Sequence, residues 1–225
     1  MANEKDLLSK GLQGLSLDDF MDSPCETPKT ETDKDVFVRM VMSTRLSDKT
    51  KKTILDWLDK TDFYQAPASS KFHNNVEGGL CNHSINVAKK LDELTKTNSL
   101  KWDKSDSPII IGLFHDLCKV NFYTVSYRNV KVMDENHKEV WTRVPFYQVD
   151  DKMPLYGIHG DRSVMYLMMM TNELTLQELA CIRFHMGNTQ EGETQAVNNA
   201  MKADNNIYWT NVADTLAALS EPVSK

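Results

Sequence analysis

Apolar residues recur with a helical period over most of the chain. The pattern starts at Val36 with VFVRMVMSTRL and resumes in TKKTILDWLDKTDFY, and the intervening Ser47 and Asp48 are typical of a helix start. After a loop at 65–79, a long helix begins near Leu80, and SPIIIGLFHDLCKV forms the next helix. Further helical patterns cover about 160–172, 175–187, 192–200 and 204–219. The sequence therefore predicts an all-α fold built as a helical bundle.

One stretch, at about 122–150, has a different character. FYTVSYRNVKVMD and EVWTRVPFYQV are rich in β-branched and aromatic residues, and they flank a turn-like segment at 135–138. We therefore predict a β-hairpin inserted into the bundle. As a lid, its aromatic and cationic side chains could stack on a base and hold phosphate; alternatively, it is an ordinary hairpin with one face packed on the helices. These side chains are Tyr123, Tyr127, Arg128, Lys131, Trp141, Arg143, Phe146 and Tyr147.

Residues 1–34 differ from the rest of the chain in composition. They are rich in Asp, Glu, Thr, Ser and Lys and show no sustained period, which predicts a flexible acidic tail ahead of one domain at 35–225. The first 35 residues hold nine acidic and four basic residues, so they carry most of the net charge of −6. The nearly neutral body argues against a large, non-specific nucleic-acid surface.

Cysteines and apolar runs bear on where the protein resides. The four cysteines form no CxxC pair, which favours free thiols. No apolar run approaches the roughly 18 residues of a spanning helix, and the N-terminus lacks the apolar core of a secretory signal. We expect a cytoplasmic protein with no membrane partner.

Two acidic residues stand in segments suited to a packed helix. Asp116 belongs to the doublet His115-Asp116, inside a helix between IIIGLF and LCKV, and Asp214 lies in WTNVADTLAAL. An ionised carboxylate is costly to bury without a counter-charge. A divalent cation would compensate both acids.

Three further histidines add candidate metal ligands. His83 lies on a core-facing stripe of its predicted helix, His185 follows the apolar stretch LACIRF, and His159 stands in GIHGDRSVMYL. Any one of them alone is more often a hydrogen-bonded core residue than a ligand. Together with His115 and the two aspartates, they form the donor set expected for borderline transition metals.

On these residues the sequence resembles the HD-domain metal-dependent phosphohydrolase superfamily. Its signature is a histidine, a His-Asp doublet and a later aspartate, each on a different helix, and the matching positions are His83, His115-Asp116 and Asp214. The stretch APASSKFHNNVEGGLCNHSINVAKKL is similar to the HD domain of bacterial 3'-to-5' exoribonucleases. HDLCKVNFY, YRNVK, VPFY, DDK, HGDRSV and IRFHMG resemble a group of small HD hydrolases of phages and Firmicutes.

The resemblance implies a helical HD domain with two divalent metal ions. In that arrangement Asp116 bridges the ions, His83, His115 and Asp214 bind one of them, and His159 and His185 bind the other. A metal-bound hydroxide would attack phosphorus, and the metal could be Mn, Fe, Zn, Ni, Co or Mg. The expected activity is cleavage of a phosphoester or phosphoanhydride bond of a small nucleotide. The alternatives are a 3'-to-5' exonuclease on single-stranded RNA or DNA and an HD module that senses a ligand without turnover.

Several side chains could contact the phosphate of such a substrate. Lys119 follows His115 by one helical turn and should face the same side, where it would contact a non-bridging oxygen, although a helix C-terminus also favours a surface lysine. Arg162 and Arg183 could bind phosphate or be simply solvated. The remaining candidates are the hairpin residues Arg128, Arg143 and Tyr147.

Cysteines and two more histidines lie near or between these positions. Cys81, Cys118 and Cys181 each fall within four residues of a predicted ligand. They could be thiolate ligands, or small buried residues packed behind the site. His73, in a loop, could reach the substrate or a metal, and His137, in the hairpin turn, should be exposed.

Overall fold

Helices account for most of the described chain. The computed structural model describes residues 31–135, 137–154, 156–189 and 192–223. The helices in these ranges are α1 Asp33–Met42, α2 Asp48–Leu58, α3 Gly79–Asn98, α4 Ser107–Phe114, α5 His159–Met170, α6 Leu176–Phe184, α7 Thr194–Ala203 and α8 Asn206–Ser220. Between α4 and α5 lies an antiparallel hairpin of β1 Tyr123–Met133 and β2 Glu139–Val149. The prediction of a mostly helical fold with one inserted hairpin is confirmed, and none of these helices has the length and apolarity of a membrane span.

Polar caps explain where the first helices begin. Thr32 and Asp35 each accept the other's backbone N–H, a capping box that starts α1. Ser47 accepts a backbone N–H at the start of α2, as the sequence predicts. The first helix thus begins at Asp33, just inside the predicted tail at 1–34, and residues 1–30 of that tail lie outside the described residues.

The long helix α3 is central to the hydrophobic core. Its buried residues pack against α4 and α8. Gly112 of α4 approaches Ala88 of α3 closely, because a Cβ at position 112 would lie 2.3 Å from Ala88 Cα and 2.4 Å from Ala88 N. Only glycine permits this backbone contact. It brings His83 on α3 close to His115 at the end of α4, with their ring centres 5.2 Å apart.

The prediction that His115 and Asp116 lie inside a helix is wrong. Helix α4 ends at Phe114 with His115 as its C-cap, and Asp116 has φ −105° and ψ 20°, a conformation typical of active-site residues and turns. A short 3₁₀ turn, Leu117–Lys119, follows. The His115 ring accounts for this end, since its Nδ1 lies 2.8 Å from the Gly112 carbonyl oxygen and so satisfies a carbonyl of the last helical turn.

The hairpin is long and mostly exposed. Its strands pair from Tyr123 opposite Val149 to Met133 opposite Glu139. Ser126, Val130, Val144 and Phe146 are half-buried and share one face of the hairpin. Neither strand packs extensively against any of the described helices, however, so the alternative of one face packed on the helices is wrong. His137 in the turn is exposed, as predicted, and has a φ of 57°.

Candidate metal centre

Six residues from five separate segments meet in one buried cluster. They are His83 on α3, His115 and Asp116 after α4, His159 at the start of α5, His185 after α6 and Asp214 on α8. His83, His115 and His185 are fully buried, and Asp116 is 2% exposed. All six were singled out from the sequence, and the structure brings all six together.

Asp116 lies at the centre of this cluster. Its Oδ1 is 2.7 Å from His159 Nε2 and 3.5 Å from His185 Nε2. Its Oδ2 is 3.4 Å from His115 Nε2 and 3.7 Å from His83 Nε2. Each carboxylate oxygen therefore faces its own pair of histidines.

Asp214 lies beside one of these pairs. Its Oδ1 is 3.1 Å from His83 Nε2 and 3.9 Å from His115 Nε2. Among the residues that the structure describes, four groups of three bring donor atoms within 4.8 Å of one another: His83, His115 and Asp214; His115, Asp116 and His185; Asp116, Cys118 and His159; and His73, His83 and Glu221. Such clusters could hold a metal ion.

Two histidine rings are turned so that Nε2 faces the cluster. Nδ1 of His115 contacts the Gly112 carbonyl, and Nδ1 of His185 lies 2.6 Å from the Ile182 carbonyl oxygen. Since a carbonyl only accepts, each Nδ1 carries a proton, and in the neutral ring Nε2 then has a free lone pair. Both Nε2 atoms, like that of His83, are buried and make no hydrogen bond with a described residue. Unpartnered buried atoms of this kind, on imidazole rings beside carboxylates, fit a divalent metal ion.

The charged groups of the cluster shift one another's pKa. Burial would raise the pKa of Asp116, but Lys119 and His115 hold it well below its usual range. Burial would lower the pKa of His83, but neighbouring carboxylates, Asp214 foremost, raise it to about 9. Without a metal the negative charge is thus balanced by Lys119 and by protons on histidine, and a bound cation would displace those protons.

A cavity of about 600 Å³ opens over the cluster. Its wall includes Lys119, Tyr123, His159 and Asp214. Lys119 Nζ lies 2.6 Å from Asp116 Oδ2. Lys119 therefore faces the same side as Asp116, as expected, although a 3₁₀ turn brings it there and not a continuing helix.

Arg162 and Arg183 have different surroundings. Arg162 is 6% exposed, stacks 4.7 Å from the centre of the Phe122 ring, and its Nε and Nη1 make no hydrogen bond with a described residue. Arg183 Nε lies 2.8 Å from Asp161, and its Nη1 lies 3.2 Å from Glu193. The Arg183 guanidinium is thus already neutralised, whereas that of Arg162 retains unused donors.

The hairpin arginines contact aromatic rings of the hairpin itself. Arg128 lies 5.6 Å from the centre of the Phe146 ring, and Arg143 lies 4.6 Å from that of Tyr127. Neither arginine belongs to the wall of the cavity over the cluster. Arg128, Phe146 and Tyr147 instead line a separate groove of about 660 Å³ against the loop that precedes α3.

The three described cysteines are free and buried. Burial raises the pKa of the Cys81, Cys118 and Cys181 thiols to about 12. The Cys118 sulfur lies 4.0 Å from Asp116 Oδ1. Protonated thiols of this kind agree with the expectation of small residues packed behind the site.

Two residues outside the predicted ligand set reach the cluster. The His73 ring centre lies 4.6 Å from that of His83, so this loop histidine does reach the site. Glu221 was not predicted, yet its Oε2 lies 3.0 Å from His83 Nδ1. No hydrophobic period marks Glu221, because it lies just after the last helix, α8.

Comparison with known proteins identified no relative: no protein-family model, no curated protein and no solved structure matches the chain. The functional argument therefore depends on the sequence motifs and on the geometry of the cluster.

Proposed function

We propose that the chain is a metal-dependent phosphohydrolase of the HD type, which cleaves a phosphoester or phosphoanhydride bond of a small nucleotide. One observation carries the proposal: buried Nε2 atoms of His83, His115 and His185 surround Asp116 and Asp214 without a hydrogen bond to any described residue. These nitrogens lie 3.1–3.9 Å from the carboxylate oxygens, close enough for charge attraction but without hydrogen-bond geometry. Divalent cations would satisfy them and would offset the charge of the two carboxylates.

The donor set divides into two parts around Asp116. His83, His115 and Asp214 would hold one ion, and His159 and His185 would hold a second, with Asp116 contributing to both. When bound, such ions activate water, polarise a phosphoryl oxygen and neutralise the charge that develops on phosphorus. The residues around the cluster shield the ligating histidine and aspartate side chains from water and fix their orientation.

Two cations support a phosphate-bearing substrate. Lys119 lies on the cavity wall, 2.6 Å from Asp116 Oδ2, and would contact a non-bridging phosphate oxygen and stabilise developing charge there. Arg162 also has unused guanidinium donors that suit a phosphate oxygen, although it does not itself line the cavity over the cluster. Arg183 is left out of the proposed substrate site, because it does not line the cavity and Asp161 and Glu193 already neutralise it.

The size and charge of the cavity favour a compact ligand. Lys71 and Lys119 are the two cations among its described lining residues, and about 600 Å³ suits a small molecule. A polymer substrate would need a longer run of cations along its backbone. We therefore place a mononucleotide ahead of a nucleic acid.

A 3'-to-5' exonuclease is the second candidate, and the groove beside the hairpin favours it. Arg128, Phe146 and Tyr147 line this groove, which shares Lys71 with the cavity over the cluster. Aromatic rings and cations together suit stacked bases and phosphates of a single strand.

Metal content tests the metal centre directly. Purified full-length chain would be stripped with a chelator, reloaded with Mn²⁺ or Zn²⁺, desalted and analysed for bound metal. We expect His115→Ala and Asp116→Asn to lose metal, because each removes a donor from the cluster. His137→Asn is the matched control: it replaces an exposed turn histidine, and asparagine tolerates the positive φ there.

The same samples would then be assayed by chromatography against nucleoside mono- and triphosphates, cyclic nucleotides and labelled single-stranded RNA and DNA. Phosphate, pyrophosphate or triphosphate released by wild type and His137→Asn, but not by His115→Ala, supports the nucleotide hydrolase. Stepwise shortening of an oligonucleotide favours the exonuclease instead. Bound metal without turnover of any substrate favours the ligand-sensing module, and a wild type that binds no metal contradicts the proposal.

A further inference from the structure

The chain beyond α8 turns back over the part of α3 that carries His83. The backbone N–H of Asn74 donates to the Pro222 carbonyl over 2.8 Å. Glu221, next to Pro222, is 8% exposed, and its Oε1 and Oε2 lie 3.1 and 3.0 Å from His83 Nδ1. Asn86 Nδ2, one turn further along α3, donates to Glu221 Oε1 over 2.9 Å.

These contacts belong to a closed ring of hydrogen bonds. Asn86 Nδ2 and Asn74 Nδ2 both donate to Asn82 Oδ1 over 2.9 Å, and Asn74 connects back to Pro222. The ring is formed by Asn74, Asn82, Asn86, Glu221 and Pro222. It fixes the position of the Glu221 carboxylate relative to α3 by contacts on both the side chain and the adjoining backbone.

His83 needs such an acceptor for a reason specific to its place in the fold. His115 and His185 follow the ends of α4 and α6, where carbonyl groups without helical partners are available to their Nδ1 atoms. His83 lies within α3, where the backbone carbonyls accept helical hydrogen bonds. A side chain from elsewhere must therefore hold its Nδ1–H, and Glu221 is the residue that reaches it.

We propose that Glu221 is a positioning residue for His83: its carboxylate accepts a hydrogen bond from Nδ1–H and so turns Nε2 toward Asp116 and Asp214. This inference rests on the proposed metal-dependent function. The observed distances agree with it, because His83 Nε2 lies 3.1 Å from Asp214 Oδ1 and 3.7 Å from Asp116 Oδ2. A carboxylate on the far side of a ligating imidazole fixes its tautomer and increases its basicity.

Metal affinity of the full chain tests the role of Glu221. Competition with a chelating dye would give the Kd for Zn²⁺ and Mn²⁺, with thermal unfolding of the metal-free protein measured in parallel. Loss of such a residue typically weakens metal binding about 10–100-fold, and we expect a change of this size for Glu221→Ala. Glu221→Gln should recover part of the loss, because the contacts of His83 and Asn86 can both be made to Oε1, which glutamine keeps.

Glu93→Ala is the matched control, since Glu93 is an acidic residue near α3's exposed end and pairs with Lys90. It should bind metal as wild type does. If Glu221→Ala does not fold, Asn86→Ala tests the same contact by removing one of the hydrogen bonds that hold the carboxylate, and we expect a smaller loss of affinity.

The outcomes separate this inference from the proposed function. Wild-type affinity in a folded Glu221→Ala, or in Asn86→Ala when Glu221→Ala is unfolded, overturns the positioning role while the metal centre stands. Equal losses in Glu221→Gln and Glu221→Ala also overturn it, because the retained acceptor should matter. A wild-type chain that binds neither metal overturns the proposed function itself.

Discussion

Replacing Gly112 by alanine tests whether the contact between α3 and α4 holds the cluster together. The added Cβ would lie 2.3 Å from Ala88 Cα, 2.4 Å from Ala88 N and 2.8 Å from Ala88 Cβ. Carbon atoms in contact normally lie about 3.5–4.0 Å apart. Two of the three atoms are backbone atoms that no rotamer change can move, so the helices must separate by about 1 Å or more to restore normal contacts.

Two opposing contributions determine how much Gly112→Ala lowers the free energy of unfolding. Overpacking of a well-packed core costs about 1–3 kcal/mol, and a backbone collision belongs at the upper end of that range. Alanine within a helix is favoured over glycine by about 1 kcal/mol, which offsets part of this cost. We therefore expect Gly112→Ala to lower the free energy of unfolding by about 2 kcal/mol, or Tm by about 4–8 °C for a chain of this size.

Urea and thermal unfolding of the metal-free protein would measure this loss, and metal affinity should fall with it, since His83 and His115 are carried by the two displaced segments. Adding Ala88→Gly removes only the Cβ contact and leaves both backbone contacts. The double variant should therefore stay unstable. A Gly112→Ala chain as stable as wild type, or one restored by Ala88→Gly, would refute the reasoning.

Three other measurements test separate parts of the structure. Lys119→Ala should keep its metal and lower kcat about 100-fold or more with little change in KM, because Lys119 is assigned to transition-state charge; a wild-type kcat would contradict that role. Glu178→Ala should lower the urea-derived free energy of unfolding by about 2 kcal/mol, because it removes the fully buried carboxylate 2.7 Å from Arg45 and leaves the buried Ser107 hydroxyl without its acceptor, while Asp106 still pairs with Arg45. Gln177→Ala, next to it, should cost much less. Glu173 accepts three hydrogen bonds from Ser47 and Thr50, and these lower its pKa from an ordinary 4.5 to about 2. The ionised Glu173 carboxylate therefore stabilises the fold fully above about pH 4.5, and this stabilisation is lost toward pH 2. In Glu173→Gln the urea midpoint should depend less on pH between these two values.

The six residues of the cluster could be found from the sequence because several have informative surroundings and because the set matches the HD signature that the sequence resembles. Asp116 and Asp214 stand among apolar residues. His83 lies on the apolar stripe of its helix, and His185 directly follows an apolar stretch. Burying such groups needs compensation, and that requirement is visible without a structure. The hairpin was equally visible, because its β-branched and aromatic residues contrast with the helical period around it.

The remaining features depend on contacts that no local pattern records. The end of α4 at Phe114 is set by the His115 side chain bonding to Gly112, which an apolar period cannot show. Arg162 and Arg183 look alike in sequence and differ only because acidic residues pair with Arg183 in the folded chain. Tertiary structure therefore decides that Arg162, and not Arg183, keeps guanidinium donors without a partner among the described residues.

The orientation of the histidines connects metal binding to the stability of the fold. His115 and His185 are oriented by the ends of α4 and α6, whereas His83 depends on the segment after α8, so ordering the cluster requires all these elements to be in place. A metal that binds the folded chain alone stabilises it by about 2.7 kcal/mol at a free concentration of 100 times Kd. At equal metal excess over each Kd, a variant of Glu221 or Gly112 should gain as much as wild type; at a fixed metal concentration it should gain less. Comparing the two conditions separates weakened affinity from a weakened fold.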